Sequence, residues 1–491
     1  MRPYFDSTGD SPEDAKVPRL LLVSFHFPPG TAVGGVRWEK IARYVHERGW
    51  FLDVVALDPS ALQRRDEGRL ASLPPGVRAF GVLPPGQSIV ALPRTLWRGL
   101  SRLRRRSPPH AAEALGRAES TEGRLAPHIR LTRAYYAWLD FVEGRRLAKA
   151  AERAGVRLTR RTSYIAVVSS GPPHAAHEAA RRIARRAGLP LILDFRDPWS
   201  LIERVPKDAA SPTWFALAEK QERRVLGEAK VIAMNTQRAS DAMRSKYPQF
   251  AKRIIAIQNG SDDEQFPTPE PSRRFTIRFA GTIYIDRDPR LVFRASKLVI
   301  DALQLSPSDF GLSFIGDVSQ FGGRPLQEMA REEGVEDFVE VGSAMPRAAA
   351  MQFLSNGTML LNLPQDSDLA IPAKVFEYVR FDAWLLILAD RESATADLLR
   401  GTEAEVVEPH DVSRMAEVIE RRYREFVAGA RPAAVNRDGR FNRRIQANLL
   451  LDLIEKVSMP APTTKSRVGA DSVSGRLDDT RNDVDHVPGQ T

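Results

Sequence analysis

Two stretches of the chain share one pattern of apolar and polar positions. Each has a run of consecutive apolar residues, a loop rich in Pro or Gly, and then apolar residues at helical spacing. The first is RLLLVSFHFPPGTAVGGVRWEKIARYVHERGW and the second RFTIRFAGTIYIDRDPRLVFRASKLV. Near-continuous apolar strands are what parallel sheets need, because helices cover both of their faces. The pattern predicts a strand over Leu20–Phe25 and a helix over Val36–Arg48, with Trp38, Ile41, Ala42 and Val45 on its buried face and Gly49 ending it. FLDVVALD is the next strand. SYIAVVSSGPPHAAHEAARRIARRAGLPLILDFRDPW reads as strand, turn, helix, strand, a βαβ unit with a right-handed crossover. A long helix entering VIAM, another helix, and IIAIQNG complete a first unit. After the Pro-rich PTPEPSRR, the apolar runs FTIRFAGT, LSFIGD, FVEVGS, TMLLNL, WLLILA and AEVVEP alternate with helical segments. Phe441, Ile445, Leu449 and Leu453 are expected to stripe a last helix.

These elements predict two open α/β sheets, each presenting loops at the carboxyl ends of its strands. If the two sets of ends face each other, they form one cleft. The expected divisions are a disordered leader at 1–17, a first Rossmann-like domain at 18–267 and a second at 272–435. A helix at 436–457 crosses back to the first domain, and a polar, disordered tail covers 458–491. The pattern weakens between Leu83 and Arg161. Within that stretch ALPRTLWRGLSRLRRRSPP sets Arg94, Arg98, Arg102, Arg104, Arg105 and Arg106 among Leu92, Trp97, Leu100 and Leu103, with no acidic residue. It reads either as a solvated surface helix or as a basic amphipathic helix that suits an anionic membrane surface or an acceptor.

Composition bounds the choice of function. With 491 residues, 43% hydrophobic and 27% charged, the chain suits two ordinary globular domains. The absence of Cys excludes disulfides, thiolate metal sites and a Cys nucleophile. The acidic, polar N-terminus is unlike a secretory signal, and no apolar run approaches the roughly 20 residues of a membrane span. A cytoplasmic protein, peripheral at the inner face of the membrane, is the expectation. The formal net charge of +10 favours anionic partners such as phosphates. Stacking aromatics do not interleave the Arg cluster, so nucleic acid is not expected.

Candidate chemistry follows from position, since ligands of open α/β sheets sit at the strands' carboxyl ends. Gly30, Gly34 and Gly35 after the first strand let the backbone approach a ligand closely. They do not spell GxGxxG, which leaves Asp58 a weak candidate for a dehydrogenase ribose ligand. His174, in GPPHAAH, follows a strand where a helix starts and is either a packing residue or catalytic. Asp194, Arg196 and Asp197, with Trp199, form either a structural ion pair or a group that orients sugar hydroxyls. After the first strand of the second unit come Gly281, Thr282 and Arg287, and Arg287 is placed to neutralise a diphosphate. In SDLAIPAKVFEYV, Lys374 opens a helix as a phosphate contact, and Glu377 lies one turn on, suited to bidentate contact with a ribose. The plain alternative for that pair is an i,i+3 ion pair.

VSFHFPPGTAVGGVRWEKIARYVHERGW, SSGPPHAAH, LILDFRDPW, QNGSDDEQF, FAGTIYIDRDP and IPAKVFEYV, in that order, resemble the family-4 glycosyltransferases of the GT-B fold. The likeness runs from about Leu20 to Val457, excluding Leu83–Leu131. It implies two Rossmann-like domains facing across a cleft and a nucleotide-diphosphate sugar as donor, held by the second domain. It also implies transfer with retention at the anomeric carbon. Gly34, Gly35, Gly281, Thr282, Arg287, Lys374 and Glu377 would contact the donor, and His174, Asp197, Arg287 and Lys374 would serve catalysis. No permanently bound cofactor and no metal are expected. The acceptor would be a glycan or a lipid-linked sugar, in polysaccharide or glycoconjugate synthesis. The family's acidic pair places its second Glu on Glu377 and its first on Leu369, a departure beside Asp368. That departure leaves open a transferase-like binding protein without catalysis, and the same fold also serves sugar-nucleotide epimerases.

Overall fold

A computed structural model describes residues 1–8, 17–83, 127–201 and 211–459, apart from 263, 271, 284–286 and 364–366. The Arg94–Arg106 segment and residues 460–491 of the expected tail lie outside the described residues.

The first sheet contains β1 (Phe5–Asp6), β2 (Arg19–Val23), β3 (Phe51–Leu57), β4 (Val77–Val82), β5 (Ala166–Gly171), β6 (Leu191–Phe195), β7 (Val231–Met234) and β8 (Ile254–Ala256). Their order is β1-β4-β3-β2-β5-β6-β7-β8. Every adjacent pair is parallel except β1 with β4. The leader is therefore a correction at its start: Phe5 pairs with Ala79 and Asp6 with Arg78. A two-residue edge strand carries too short a pattern to be read from sequence.

Successive residues of β2 feed opposite cores. Leu21 and Val23 pack on one face with the helices Pro127–Thr159 and Ala175–Ala187, and Leu20 and Leu22 on the other with the helix Val36–Glu47. Period-2 alternation thus survives inside an all-apolar strand because both faces are covered. Trp38, Ile41, Ala42 and Val45 are buried as expected.

The second sheet contains β9 (Phe275–Thr282) and β10 (Phe310–Asp317). A small hairpin of β11 (Gln320–Phe321) and β12 (Arg324–Pro325) stands outside it. β13 (Val339–Gly342), β14 (Met359–Asn362), β15 (Trp384–Leu388) and β16 (Glu405–Val407) complete it. Its order is β13-β10-β9-β14-β15-β16, parallel throughout.

The final helix, Arg443–Ser458, packs against the first sheet through Ala447, Leu450, Leu451 and Ile454. The expected stripe is a correction. Ile445 and Leu449 are 53% and 44% exposed, and Phe441 precedes the helix and packs in the second lobe. NLLLDLIEKV is apolar over more than one face, so the surface it docks on selects the phase.

The two lobes meet at their strand ends. The Thr236 hydroxyl, just after β7, donates to the Leu369 carbonyl after β14 (2.6 Å), and Arg238 pairs with Asp397 on the helix Ala394–Leu399.

Candidate functional site

Among the parallel strands of each sheet the chain order reverses once, between β2 and β5 in the first and between β9 and β14 in the second. Loops leaving such neighbours diverge to opposite faces and open a crevice. The first crevice is bounded by the loop 24–35 and by Gly171–His174, the second by the loop after β9 and the segment leading into the helix Ala373–Tyr378.

The second crevice holds Lys374. Its Nζ is buried and makes no hydrogen bond, and it lies 4.0 Å from the centroid of the Phe279 ring. Burial and the neighbouring Arg287 cation push this ammonium down to about 7, with Glu377 opposing. Gly281 makes room for it: a Cβ there would overlap the ammonium, and a φ of +149° favours glycine in any case. Arg287 donates to the Thr282 carbonyl (3.1 Å), which folds the guanidinium back over the end of β9. The Tyr378 hydroxyl accepts from the Ala280 N–H (3.2 Å) and ties the Ala373–Tyr378 helix to the same strand end. Gly281, Thr282, Arg287, Lys374 and Glu377 are thus one constellation.

Glu377 does not pair with Lys374 in the i,i+3 fashion. Arg347, on the helix Arg347–Ser355, donates to it (2.9 Å) and to Glu264 (3.0 Å). Lys40, on the helix after the glycine loop of the first lobe, also reaches Glu264 (2.6 Å). Burial opposes ionisation of Glu264, yet Lys40 and Arg347 hold its carboxyl down at about 2. A chain of alternating charges therefore runs from the first lobe to Glu377. Arg347 and Glu264 carry no sequence signal, since 83 residues separate them.

The first crevice is built differently from expectation. Gly34 is required by packing: a Cβ would come within 2.6 Å of Arg196 Nη1 and 2.7 Å of His26 Nδ1, and Arg196 donates to the Gly34 carbonyl. Gly35 is buried and closely faces the His26 backbone. Of the Asp194–Arg196–Asp197 group, Asp194 belongs to the framework. It accepts from Arg37 with both oxygens (3.0 Å each), from the Trp38 indole (2.7 Å) and from Ser170 (3.1 Å). Asp197 is mostly buried, and its desolvated carboxyl is pushed above the usual range against the pull of Arg196. His174 opens the helix Ala175–Ala187 without a side-chain cap bond and stacks on Trp199 at 4.8 Å. Burial, then His177 and Arg196, push its pKa well down and keep it neutral. Asp58 caps a turn, accepting from the Ser60 N–H (3.0 Å) and hydroxyl (2.7 Å), so the ribose alternative has no support in its geometry.

Leu369 has a part in the junction between lobes. Its carbonyl takes the Thr236 hydroxyl and its side chain packs on the first-lobe core. Among the described residues no group of three or more His, Asp or Glu is arranged to hold a metal ion, and no helix is long and apolar enough to cross a membrane.

No protein-family model matches the chain, and no curated protein sequence matches it. Solved structures do. Sucrose-phosphate synthase from Thermosynechococcus elongatus superposes with a TM-score of 0.56 at 12% identity, over 90% of this chain and 99% of that one. Anabaena HepE in complex with UDP-glucose gives 0.53 at 13%, over 89% and 99%. A putative UDP-N-acetylglucosamine 2-epimerase from Listeria monocytogenes gives 0.50 at 10%, over 90% and 96%. The fold is thus α/β with two Rossmann-like domains, the GT-B arrangement of the glycosyltransferase structures it resembles.

Proposed function

We propose that the chain is a retaining glycosyltransferase. The second lobe would bind a nucleotide-diphosphate sugar, and the first a glycan or lipid-linked acceptor in polysaccharide or glycoconjugate synthesis. One observation carries most of the reading: Lys374 keeps a buried ammonium without a hydrogen bond, beside Arg287 and Glu377, in the crevice where the second sheet reverses. An uncompensated buried cation is costly, and an anion at this place removes the cost. A diphosphate fits, with Glu377 one helical turn away to take the ribose hydroxyls and Gly281 and Thr282 giving the backbone close approach. UDP-glucose in the HepE complex adds support from a chain of similar fold.

In the proposed reaction the bond between the anomeric carbon and the diphosphate oxygen breaks, and Arg287 and Lys374 stabilise the charge that develops there. The acceptor hydroxyl attacks from the same face and passes its proton to the departing phosphate oxygen. Neutral His174 and Asp197 orient the sugars from the first lobe, and Gly34 and Gly35 line the opposite wall. The reading needs neither a metal nor a bound cofactor. Docking of the Arg94–Arg106 segment on an anionic membrane belongs to the same proposal.

Thermal denaturation with a panel of nucleotide sugars tests it. A donor at about 100 times its Kd stabilises the folded state by ~2.7 kcal/mol. Stabilisation by one nucleotide sugar, lost in Glu377→Ala, is the expected result. A panel that leaves melting unchanged at millimolar concentration refutes it. The epimerase neighbour favours one rival, which would convert the sugar nucleotide with no acceptor present. Leu369 in place of an acidic residue favours the other, a binding protein that would hold the donor without ever hydrolysing it.

A further inference from the structure

Between the long helix Pro127–Thr159 and the segment after β5 lies a cavity of about 250 Å³ that the donor site does not use. Its walls are rings. Phe141 stacks on Trp199 with centroids 6.2 Å apart and tilts against Trp214 at 5.9 Å, and His174 lies against Trp199. Pro172 and Pro173 close one side.

The polar groups around these rings are mostly engaged. The Trp214 indole donates to Asp140 (3.4 Å), and the Glu178 carboxylate takes both Arg181 and Arg182. Asp140 and Arg145 belong to the lining but are exposed, so they form a charged rim. Two are not: His174 Nδ1 is buried and without a hydrogen-bond partner, and the half-buried Gln221 also belongs to the lining. His174 also marks the carboxyl end of β5, beside the chain reversal, so the cavity begins where the first-lobe crevice does.

A sugar ring carries hydroxyls around its whole edge, and each one buried without a partner is costly. An interior of aromatic and proline rings, with one orphan imidazole nitrogen and the Gln221 amide, satisfies only a few of those hydroxyls. It suits an apolar group well, and its size allows one, since a cavity of about 150 Å³ holds a benzene ring. We propose that this cavity is the acceptor subsite for an apolar group joined to the acceptor, either an aryl ring or the first carbons of a prenyl or acyl chain, with one polar atom of the acceptor meeting His174 Nδ1. The inference rests on the transferase reading for the word acceptor. The apolar preference of the cavity stands on the geometry alone.

Calorimetric titration of the full chain with methyl, phenyl and octyl β-D-glucopyranoside tests it, because the three differ only in the apolar group. Phenyl or octyl glucoside should bind at least tenfold more tightly than methyl. A gain confined to phenyl assigns an aryl group, and one confined to octyl assigns a chain. Gly144 lines the cavity, and a Cβ there meets only Ala175 Cβ at an ordinary 3.7 Å. Gly144→Leu should therefore fill the space and reduce the gain to the methyl level, leaving UDP affinity unchanged. Gly144→Ala should take away part of the gain. Equal binding of all three glucosides, or a gain untouched by both variants, overturns the proposal. Apolar glucosides that bind a chain indifferent to every nucleotide sugar would uphold the cavity and remove the transferase reading.

Discussion

Replacing Lys374 by Met separates the cost of this residue from its use. Burial and the Arg287 cation push the Lys374 ammonium down to about 7 from an ordinary 10.5. A gap of about 3.5 units at ~1.4 kcal/mol each makes charging Lys374 in the folded chain cost on the order of 5 kcal/mol. Between pH 7 and 10.5 the unfolded chain carries a proton here that the folded chain has released, so this group makes stability rise with pH. Below pH 7 both states are protonated and the full penalty applies. Lys374→Met, of similar length and uncharged, should raise the melting temperature most at pH 6, with the gain shrinking toward pH 10. It should also cost the chain its nucleoside diphosphate. A bound diphosphate restores the charge on Lys374, so calorimetry of UDP binding at pH 8 in buffers of different ionisation enthalpy should show proton uptake in the wild type, since a pKa lowered to about 7 leaves Lys374 mostly neutral there without the diphosphate. None should be seen in Lys374→Met. Arg287 and Glu377 are the charged neighbours that act on Lys374, the first lowering its pKa and the second opposing. A Lys374→Met chain destabilised equally at pH 6 and pH 10, with UDP binding intact, would refute the reasoning.

Glu377→Ala should weaken donor binding about 10- to 100-fold, measured as KM or Kd. Melting should barely move, because an exposed pair such as Arg347–Glu377 contributes ~0–1 kcal/mol. Gly281→Ala should lose about 1–3 kcal/mol of stability in denaturant titration, and donor affinity with it, since the residue has a left-handed φ and its Cβ displaces Lys374. Asp194→Ala should cost about 3–5 kcal/mol in the same assay, because it strands the buried Arg37 cation and frees the Trp38 indole. A loss under 1 kcal/mol would show that Arg37 finds another partner.

Much of the candidate site was legible because it is local. Gly281, Thr282 and Arg287 follow one strand end, and Lys374 and Glu377 share one turn of helix, so spacing alone places them at crevice loops. The chain's partners across the fold were not legible. Asp194 looked like a candidate beside Arg196 and Asp197, yet 157 residues separate it from Arg37, which claims it for the framework. The role of Gly34 is set by Arg196, 162 residues later, and that of Glu377 by Arg347.

Apolar runs of strand length alternating with amphipathic helices determined, by themselves, two parallel sheets and the loops that carry their chemistry, because burial on both faces leaves a local mark on every strand. Tertiary structure alone decided which of those loops adjoin, which face of Arg443–Ser458 is buried, and that Lys374 is left without a hydrogen bond. Those outcomes depend on strand order and on contacts between residues far apart in the chain, and a sequence pattern records only what each segment needs, not which segment supplies it.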